Sequence, residues 1–586
     1  MPKHWRIHPH EPDRIAALER ALGVSAVVAQ LLVCRGMTDP GRARQFLDCK
    51  LSNLREPELL PGCTEAAERI YQSIRRGRRI VVYGDYDVDG VTGTAMLRQS
   101  FKLLGGNVGY YLPNRIEEGY GLNCEAVRRL AAEKAELLVT VDCGIRSLRE
   151  AGTARECGLE LIVSDHHEPG PTLPPAEAIV HPRLPGREYP FDGLSGSGVA
   201  LKLAWAVCQQ ASGARKVQPA MKDFLVQAVG LAALGTVADV VPLVDENRVL
   251  VRHGLESLKR FPSLGLTALL RTAGLEGKSR LAAEDIAFAL APRLNAAGRL
   301  GQANLAAELL LADRPERAQE LARDIEQLNA QRQSLERGMY LVALKQARER
   351  FDPEEEGALV LAERGWHAGI LGIVAGRLAD RYHRPVVLIS FDPLGVKPGV
   401  GSARSVPGFN LNLALETCRR HLLSHGGHAA AAGLLIEEKN LEQFRGEFCL
   451  YASDKIRERQ LRAELVIDAE TPLSGLTLQA VDQIEQLGPF GHGNTRPLLC
   501  TSGVTLLDPP RVIGTHGRHL AMRLKQHHSV VRAVAFGAAE WAEELGSLEG
   551  PLDVAFRPVV STFRGPPTVE LQLVDWRRAP ASHPTA

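Results

Sequence analysis

Three aspartates at alternate positions follow a short apolar run near residue 80 of the chain. The run is residues 80–83, and the acids are Asp85, Asp87 and Asp89. Carboxylates held a few ångströms apart repel one another, so they stay ionised together only where a cation lies between them. The pattern therefore predicts a divalent metal site at the end of a buried strand. The alternative is a calcium loop or a solvated acidic turn, but a calcium loop lies between helices and ends on a glutamate.

Small residues flank these acids. Gly84 and Gly90 permit a tight turn, because glycine tolerates backbone conformations that other residues avoid. The segment from Thr92 to Thr94 is predicted to open a helix whose N-terminal amides face an anion. The remaining metal ligands must come from elsewhere in the chain.

The bulk composition excludes several classes of protein. A chain of 586 residues is too long for a single hydrophobic core, so about three or four domains are expected. Its formal net charge of +1 means that any nucleic-acid site is a local groove and not a wholly basic surface. Ten cysteines without a C-x-x-C pair argue against a zinc ribbon or a disulfide framework and are typical of a cytosolic protein.

Neither a signal peptide nor a membrane span is expected. The first residues lack the apolar segment that a signal peptide requires. The longest nearly apolar run, residues 226–244, contains Asp239 and Pro242, which favours a buried helix with a polar end. Asp239 needs a charged partner in such surroundings, and both a metal ion and a structural ion pair would meet that need.

Short apolar runs alternate with helical stretches from about residue 64 onward. This alternation predicts a parallel sheet covered by helices on both faces. The predicted strands are residues 80–83, 108–112, 137–141 and 161–163, and the predicted helices include residues 124–133 and 148–157.

Polar residues follow two further strands of this predicted sheet. Asp142 follows the third apolar run, and Asp165, His166 and His167 follow the fourth. Ligands of such sheets bind at the carboxyl ends of the strands. A single Asp there is usually a helix cap and a single His a structural residue, but three strands delivering acids or imidazoles to one edge favour a metal site.

These ordered motifs resemble the phosphoesterase motifs of the DHH superfamily. The motifs are Asp87 and Asp89, Asp142, the triplet from Asp165 to His167, and Asp239. The resemblance extends over roughly residues 60–580 to the bacterial exonucleases of this superfamily that are specific for single-stranded DNA. It implies an α/β fold in which a parallel-sheet DHH domain is joined by a long helix to a smaller α/β DHHA1 domain, followed by an OB-type β barrel.

The resemblance and the sequence pattern together predict six segments. They are an N-terminal helical lead-in at residues 1–60, a DHH domain at 61–312, a connecting helix at 313–351, a DHHA1 domain at 352–452, an OB domain at 453–578 and a disordered tail at 579–586. The connecting helix is charged throughout with apolar residues near helical spacing, and at about 1.5 Å per residue it spans on the order of 50 Å.

Two groups of residues suit phosphate binding. Arg293, Asn295 and Arg299 lie within one short segment, where guanidinium groups can bind phosphate through paired donors, although a basic helix end has the same composition. Ser402, Arg404 and His428 are similar to DHHA1 residues that hold the substrate phosphates, but alone they would be ordinary turns. An alanine-rich helix is expected from His428 to residue 433.

The C-terminal part of the chain alternates as short β strands do. The strands are predicted at residues 519–524, 530–536, 554–560 and 569–574. No acid occurs between Pro509 and Ala539, while five lysines and arginines do. OB barrels bind single strands with a basic groove and stacking aromatic residues. The candidate platforms, for most of which core packing is the expected role, are Phe536, Phe556, Phe563 and Trp576.

The resemblance implies two divalent metal ions, and a ligand set of carboxylates and imidazole suits Mn²⁺ or Mg²⁺. It assigns one ion to Asp87 and Asp142, with Asp85 either a third ligand or an outer acid. It assigns the second ion to Asp89, His166 and Asp239, with Asp142 bridging the two. Two metals about 3.5 to 4 Å apart would together activate water and neutralise the leaving oxygen.

The resemblance also implies roles around the metals. His167 would contact the scissile phosphate or stabilise the leaving group, and Asp165 would orient a histidine. Arg115 and Tyr120 are similar to residues that touch the strand near the active site. A pocket for the terminal 5′ phosphate would use Arg293 or Arg299, Asn295, Ser402, Arg404 and His428.

The expected function is a metal-dependent 5′-to-3′ exonuclease that degrades single-stranded DNA to 5′-mononucleotides in DNA repair and recombination. Single-strand-binding protein and a DNA helicase are the partners that the resemblance implies, for a monomer in the bacterial cytoplasm. A phosphodiesterase for cyclic dinucleotides or very short RNA is an alternative, against which the extra β domain counts. A non-catalytic DNA-binding scaffold is another, against which the intact acids count.

Overall fold

The computed structural model describes residues 3–352, 356–459, 464–562 and 565–579. Phe563 and residues 580–586 of the expected tail lie outside the described residues. The chain divides into two compact units. One unit is Leu54–Val241 with Asp245–Arg462, and the other is Met1–Asn53, Pro242–Val244 and Ala463–Ala586.

The first elements of the chain are a strand and three helices: β1 (His4–Ile7), α1 (Pro12–Leu22), α2 (Ala26–Cys34) and α3 (Pro40–Asp48). Helices were expected here, and β1 is an addition. Leu18, Leu31 and Leu32 lie in the same hydrophobic core as Val554 and Phe556. The N-terminal helices therefore share one core with the C-terminal β domain.

The first large sheet is parallel, as predicted, and has a fifth strand, β6 (Ala178–Val180), beyond the four that were expected. Its strands, in the spatial order β3-β2-β4-β5-β6, are β2 (Arg79–Gly84), β3 (Asn107–Tyr111), β4 (Leu137–Val141), β5 (Glu160–Ser164) and β6 (Ala178–Val180). Every residue of β4 is buried, as expected for a strand that is covered on both faces.

Helices alternate with these strands and continue the domain after the last of them. They are α4 (Cys63–Arg75), α5 (Val88–Leu103), α6 (Cys124–Ala132), α7 (Leu148–Glu156), α8 (Gly196–Ser212), α9 (Pro219–Ala238), α10 (Asp245–Arg260), α11 (Leu264–Thr272), α12 (Ala283–Asp285), α13 (Ala291–Arg299) and α14 (Ala303–Leu310). Among the described residues, only α9 is by itself long and apolar enough for a membrane span, and 56% of its apolar window is buried inside the protein. The bent pair α1 and α2 passes the same test only when taken together.

The start of α5 corrects one prediction. The helix begins at Val88 and not near Thr92, because the Asp87 carboxylate accepts hydrogen bonds from the amides of Asp89 at 3.0 Å and Gly90 at 3.2 Å. Gly90 therefore lies in the first turn of a helix and not in a tight turn. Glycine is required there because a Cβ would lie 2.6 Å from the backbone nitrogen of Asp85.

A long helix, α15 (Pro315–Arg350), joins the first α/β domain to the second. Its 36 residues span about 54 Å at 1.5 Å per residue, which agrees with the predicted connecting helix. The buried residues Met339, Ala343 and Ala347 pack into the core of the second domain.

The second α/β domain contains a mixed five-stranded sheet. Its elements are β7 (Leu359–Arg364), α16 (Ala368–Tyr382), β8 (Val386–Phe391), β9 (Gly399–Arg404), α17 (Leu411–Thr417), β10 (Leu422–Gly427), β11 (Ala431–Ile436) and α18 (Leu441–Arg459). The strand order is β10-β11-β9-β8-β7, and only β7 and β8 run parallel.

The alanine-rich helix predicted up to residue 433 is wrong. Ala431 and Ala432 begin β11, which pairs on one side with β9 and on the other with β10. Alanine is the strongest helix former, but tertiary context overrides such propensities, and two neighbouring strands offer this segment backbone hydrogen bonds on both sides. His428 consequently lies in the hairpin between β10 and β11 and does not cap a helix.

The C-terminal domain is built on a seven-stranded sheet. Its elements are β12 (Glu464–Ile467), β13 (Ala469–Glu470), α19 (Leu478–Glu485), β14 (Leu499–Leu506), β15 (Arg511–Ile513), β16 (His519–Gln526), β17 (Ser529–Ala535), α20 (Trp541–Gly546), β18 (Leu552–Ser561) and β19 (Thr568–Arg578). The strand order is β13-β14-β18-β19-β17-β16-β15, and β14 also pairs with β16. The pairing of β14 with β16 closes five strands, β14-β18-β19-β17-β16, into a ring, which agrees with the expected OB-type barrel. The strands β13 and β15 extend the sheet beyond this ring, and β12 pairs separately with β1.

The candidate stacking residues of this domain differ in exposure. Phe536 is 61% exposed, whereas Phe556 is fully buried and Trp576 packs partly buried against the core. Two of the basic residues are neutralised within the domain, Arg523 by Asp508 and Arg532 by Glu570. Among the candidates that the structure describes, only Phe536 is largely exposed.

Candidate metal centre

Acidic residues meet at the carboxyl ends of three neighbouring strands. Asp85, Asp142 and Asp165 directly follow β2, β4 and β5. Their amides continue the sheet by one hydrogen bond each: Asp85 donates to the carbonyl of Val141, Asp142 to Ser164 and Asp165 to Val180. The sequence prediction that these strands end at one edge is confirmed, and the backbone pairing fixes the spacing of the acids.

Asp89 reaches the same place from the first turn of α5. Its Oδ2 accepts a hydrogen bond from the Gly196 amide at 2.6 Å, and its Oδ1 accepts one from the Ser197 amide at 3.0 Å. These amides begin α8, so a helix N-terminus stabilises the negative charge of Asp89. The sequence analysis missed Gly196 and Ser197, although the small residues from Ser195 to Gly198 could have indicated a closely packed helix start.

Asp239 caps the C-terminus of α9 and brings a further carboxylate to the cluster. Its Oδ2 lies 3.5 Å from Nε2 of His166. Gly235, one turn earlier, allows α9 to approach, because a Cβ there would lie 2.3 Å from Oδ1 of Asp89. The absence of a side chain at Gly235 thus lets the C-terminal part of α9 lie close to Asp89.

His166 lies at the centre of the acids. Its Nε2 is 3.1 Å from Oδ1 of Asp142 and 3.9 Å from Oδ2 of Asp89. Within the described part of the chain, Nε2 of His166, Oδ1 of Asp142 and Oδ1 of Asp85 are buried without a hydrogen-bond partner. Buried polar atoms are rarely left in this state, so these residues fit a site that coordinates a metal ion.

Three groups of candidate ligand atoms lie close enough to share an ion. The atoms of each group fall within 4.8 Å of one another, and the groups are Asp85 with Asp87 and Asp142, Asp89 with His166 and Asp239, and Asp142 with His166 and His167. Asp142 belongs to two of these groups. The arrangement therefore fits two cations with a shared carboxylate, and its oxygen and imidazole donors suit Mn²⁺ or Mg²⁺.

The acids of the cluster need a nearby positive charge if they are all to remain ionised. Burial, followed by the neighbouring carboxylates, raises the pKa of Asp142 and Asp239 well above the usual range, and the pKa of Asp85 is raised in the same way. Burial and then Asp89 raise the pKa of Asp87. Burial and the adjacent His167 lower the pKa of His166 to about 4, which leaves it neutral, as a metal ligand must be.

Asp165 differs from the other acids because its carboxylate is hydrogen-bonded to an imidazole ring, that of His167. It accepts hydrogen bonds from the amides of Ile145, His166 and His167, and from Nδ1 of His167 at 2.8 Å. Burial alone would raise the pKa of Asp165, but the hydrogen bond and charge of His167 bring it below the usual value. The same contact raises the pKa of His167 in spite of its burial. Asp165 thus orients the His167 ring.

Tyr120 and Arg115 border the cluster. The Tyr120 hydroxyl donates to the carbonyl of Asp142 at 3.0 Å and lies 3.1 Å from Nδ1 of His167. The Arg115 guanidinium stacks over the ring of Tyr86 at 4.8 Å. Tyr120 thus lies beside Asp142 and His167, and the charge of Arg115 acts on Asp87. The contact of both side chains with a DNA strand stays a prediction.

Arginines gather between the two α/β domains of this unit. Arg299 donates to the carbonyl of Gly369 at 3.0 Å, and Arg404 donates to Oγ of Ser402 at 3.3 Å. Burial, then the charges of Arg115 and Arg404, lower the pKa of Arg299 to about 10. No carboxylate pairs with these three arginines within the described residues, so the pocket has an excess of positive charge that a phosphate would offset.

The other expected phosphate ligands lie elsewhere. Arg293 forms an ion pair with Glu326 at 2.6 Å, and Oδ1 of Asn295 accepts a hydrogen bond from the Val88 amide at 3.1 Å. His428 lies close to Arg146 and His167, which after burial lower its pKa. The structure thus brings Ser402, Arg404 and Arg299 together, while His428 faces the side of the metal cluster where His167 lies.

Each of the three domains matches the model of a known protein family. The chain matches the models of the DHH family N-terminal domain at residues 79–236, the DHHA1 domain at 355–454 and the RecJ OB domain at 467–575. It is 36% identical to the single-stranded-DNA-specific exonuclease RecJ of Dickeya dadantii, with 96% of each chain covered. The RecJ of Bacillus subtilis is 38% identical over 92% of this chain and 66% of its own length.

Solved structures agree with this result. The crystal structure of Thermus thermophilus RecJ with Mn²⁺ superimposes with a TM-score of 0.82 at 34% identity, covering 99% of this chain and 80% of that one. The same protein with Mg²⁺ gives a TM-score of 0.77 at 32% identity, covering 99% of this chain and 79% of that one. The fold and the order of the three domains are therefore those of a known group of proteins.

Proposed function

Because this chain belongs to the RecJ family of single-stranded-DNA-specific exonucleases, we propose that it degrades single strands from the 5′ end and releases 5′-mononucleotides. The enzyme is a metal-dependent exonuclease that acts on single-stranded DNA, with Mn²⁺ or Mg²⁺ as cofactor. One observation supports the proposed polarity. The buried acid cluster lies in the same unit as a group of arginines that, among the described residues, have no carboxylate partner. Arg115 links the two, because its charge acts on Asp87 as well as on Arg299 and Arg404.

The acid cluster holds the metals. Asp85, Asp87 and Asp142 would hold one ion, and Asp89, His166 and Asp239 would hold the other, with Asp142 available to both. Asp85 is assigned as a direct ligand because its buried Oδ1 has no hydrogen-bond partner within the described residues. When bound, two divalent ions lower the pKa of the attacking water and neutralise charge on the leaving oxygen.

The protein residues around the metals position the scissile phosphate. His167 is held in one orientation by Asp165, and its raised pKa keeps it protonated over a wider range than a free histidine. It donates a hydrogen bond to the phosphate or to the leaving 3′ oxygen. Tyr120 lies beside it and limits how far the strand can shift.

The arginine pocket binds the 5′ phosphate of the terminal nucleotide. Arg299 and Arg404 supply paired donors, and Ser402 supplies a hydroxyl. Arg299 is preferred to Arg293 because the Arg293 guanidinium is already paired with Glu326. Asn295 acts indirectly, through its hydrogen bond to the start of α5.

The cellular setting is also proposed. Ten free cysteines, of which several are buried, fit a reducing cytoplasm, and a role in DNA repair and recombination follows from the substrate. Single-strand-binding protein and a DNA helicase would supply such strands, and the enzyme is expected to act as a monomer.

The test is digestion of one oligonucleotide that is labelled at either its 5′ or its 3′ end, with Mn²⁺ present. We expect the 5′ label to appear at once as mononucleotide, while the 3′-labelled strand shortens stepwise. The same sequence as a blunt duplex is the matched control and should persist. Release of the 3′ label first, equal cutting of the duplex, or full activity of Asp142→Ala would contradict the proposal.

A further inference from the structure

His181 lies behind the two histidines of the metal centre without touching the proposed substrate. It directly follows β6, the edge strand that pairs with β5, and its side chain is fully buried. Because β5 leads into Asp165 and His166, the register of the two strands brings His181 beside this turn. The Asp165 amide, for example, donates to the carbonyl of Val180 at 3.2 Å.

Both ring nitrogens of His181 have fixed partners. Nδ1 accepts a hydrogen bond from the Arg183 amide at 2.9 Å, and an amide nitrogen can only donate. Nε2 lies 2.8 Å from the carbonyl oxygen of His167, which can only accept, so Nε2 carries the proton. The ring is therefore a neutral imidazole with one defined tautomer.

Arg183 holds the neighbouring carbonyl. Its Nη2 donates to the carbonyl oxygen of His166, and its Nη1 pairs with Glu168 at 2.8 Å. The peptide groups of both His166 and His167 are thus bound from behind by residues of one short segment. The backbone of the turn is thus fixed at both histidines, and Asp165 also fixes the orientation of the His167 ring.

We propose that His181, assisted by Arg183, is a positioning residue that aims His166 at the metal site and His167 at the phosphate. Groups that orient metal ligands typically contribute about 10–100-fold to metal affinity or activity. Since the assignment of His166 as a ligand belongs to the proposed function, the test must measure metal binding separately from nuclease activity.

The experiment is calorimetric titration of Mn²⁺ into the full chain without DNA, followed by kinetics on a single strand. His181→Ala removes both hydrogen bonds, and we expect the Mn²⁺ dissociation constant to rise about tenfold or more. The kcat should fall while the KM for the strand stays near the wild-type value. His181→Gln keeps an amide N–H that can donate to the His167 carbonyl, and we expect it to recover most of the loss.

Two further variants keep the result interpretable. Ile179→Ala lies on the same strand and removes only partly buried apolar contacts, so it should lower the melting temperature but leave Mn²⁺ binding unchanged. Arg183→Ala removes a partly exposed side chain and should weaken Mn²⁺ binding by a smaller factor even if His181→Ala does not fold. Unchanged Mn²⁺ binding in Arg183→Ala and His181→Ala, or an equal loss in Ile179→Ala, would overturn the positioning role whatever the nuclease assay shows.

Discussion

Asp142 is the residue on which both proposed metal ions depend. It sits in a left-handed backbone conformation with φ of 63°, is nearly fully buried and faces other carboxylates. Without metal, its ionised form opposes folding, because burial and like charge raise its pKa. We expect Asp142→Asn to increase the unfolding free energy of the metal-free protein, because the amide has nearly the same shape as the carboxylate but carries no charge.

The same variant should respond differently to metal. Saturating Mn²⁺ stabilises the wild type by about 2.7 kcal/mol at 100 times the dissociation constant, and we expect little of this gain in Asp142→Asn. Thermal unfolding with EDTA and with Mn²⁺ measures both effects. If Asp142→Asn is less stable than the wild type in EDTA, repulsion between the carboxylates does not destabilise the metal-free protein. If Mn²⁺ stabilises the variant as much as the wild type, Asp142 is not needed for metal binding.

Arg299 and Arg293 offer a matched pair on one short helix. Arg299 faces the arginine pocket, whereas Arg293 is paired with Glu326. We expect Arg299→Ala to raise the KM for a 5′-phosphorylated strand about tenfold, because roughly one charge-assisted hydrogen bond is lost. The KM for a strand that ends in a 5′-hydroxyl should change little. Arg293→Ala should leave the preference for 5′ phosphate intact and lower only the melting temperature. Equal behaviour of the two variants on both strands would exclude Arg299 from the pocket.

At the scale of elements, the close approach of α9 to α5 and α8 determines where Asp239 and Asp89 lie. A Cβ on Gly235 would be 2.2 Å from Oγ of Ser197, whereas a Cβ on Gly230 of the same helix would be 3.3 Å from the flexible Leu258 side chain. Gly235→Ala should therefore cost about 1–3 kcal/mol by overpacking and weaken Mn²⁺ binding. Gly230→Ala should be neutral or stabilising, because alanine favours a helix by about 1 kcal/mol over glycine. Unfolding and Mn²⁺ titration of both variants check this, and a harmless Gly235→Ala would contradict it.

The elements that carry the metal ligands were largely predictable from the sequence, and their mutual contacts were not. Apolar runs that end in acids located β2, β4 and β5, because strand periodicity and the edge position of ligands are local signals. The roles of Arg293 and Arg299 could not be told apart from the sequence. Arg293 is directed away from the arginine pocket by its ion pair with Glu326 of α15, and this contact is not a local signal. The alanines of β11 were misassigned because their pairing with β9 and β10 outweighs their local preference for a helix.

At the scale of the whole molecule, the N-terminal helices and the C-terminal β domain form one cooperative unit. Val28, Leu31 and Leu32 of α2 are buried against residues such as Leu499 and Phe556, which lie more than 400 positions away in the sequence. An amphipathic or apolar helix of this length has little stability without its packing partners. Removing the β domain should therefore leave an exposed apolar surface on the N-terminal segment and not a folded lead-in.

Two fragments test this dependence. A fragment of residues 54–459 omits both parts of the shared core, and a fragment of residues 1–459 retains α1 to α3 without their partners. Both lose the contacts that residues 242–244 make with the C-terminal domain, so they differ only in residues 1–53, which contain β1 and α1 to α3. We expect fragment 54–459 to be monodisperse in size-exclusion chromatography and fragment 1–459 to aggregate and bind a hydrophobic dye. Leu31→Glu with Leu32→Glu in fragment 1–459 should reduce both effects, because charges interrupt the apolar face. Equal dispersity and dye binding of the two unmodified fragments would mean that the helices fold independently of the β domain.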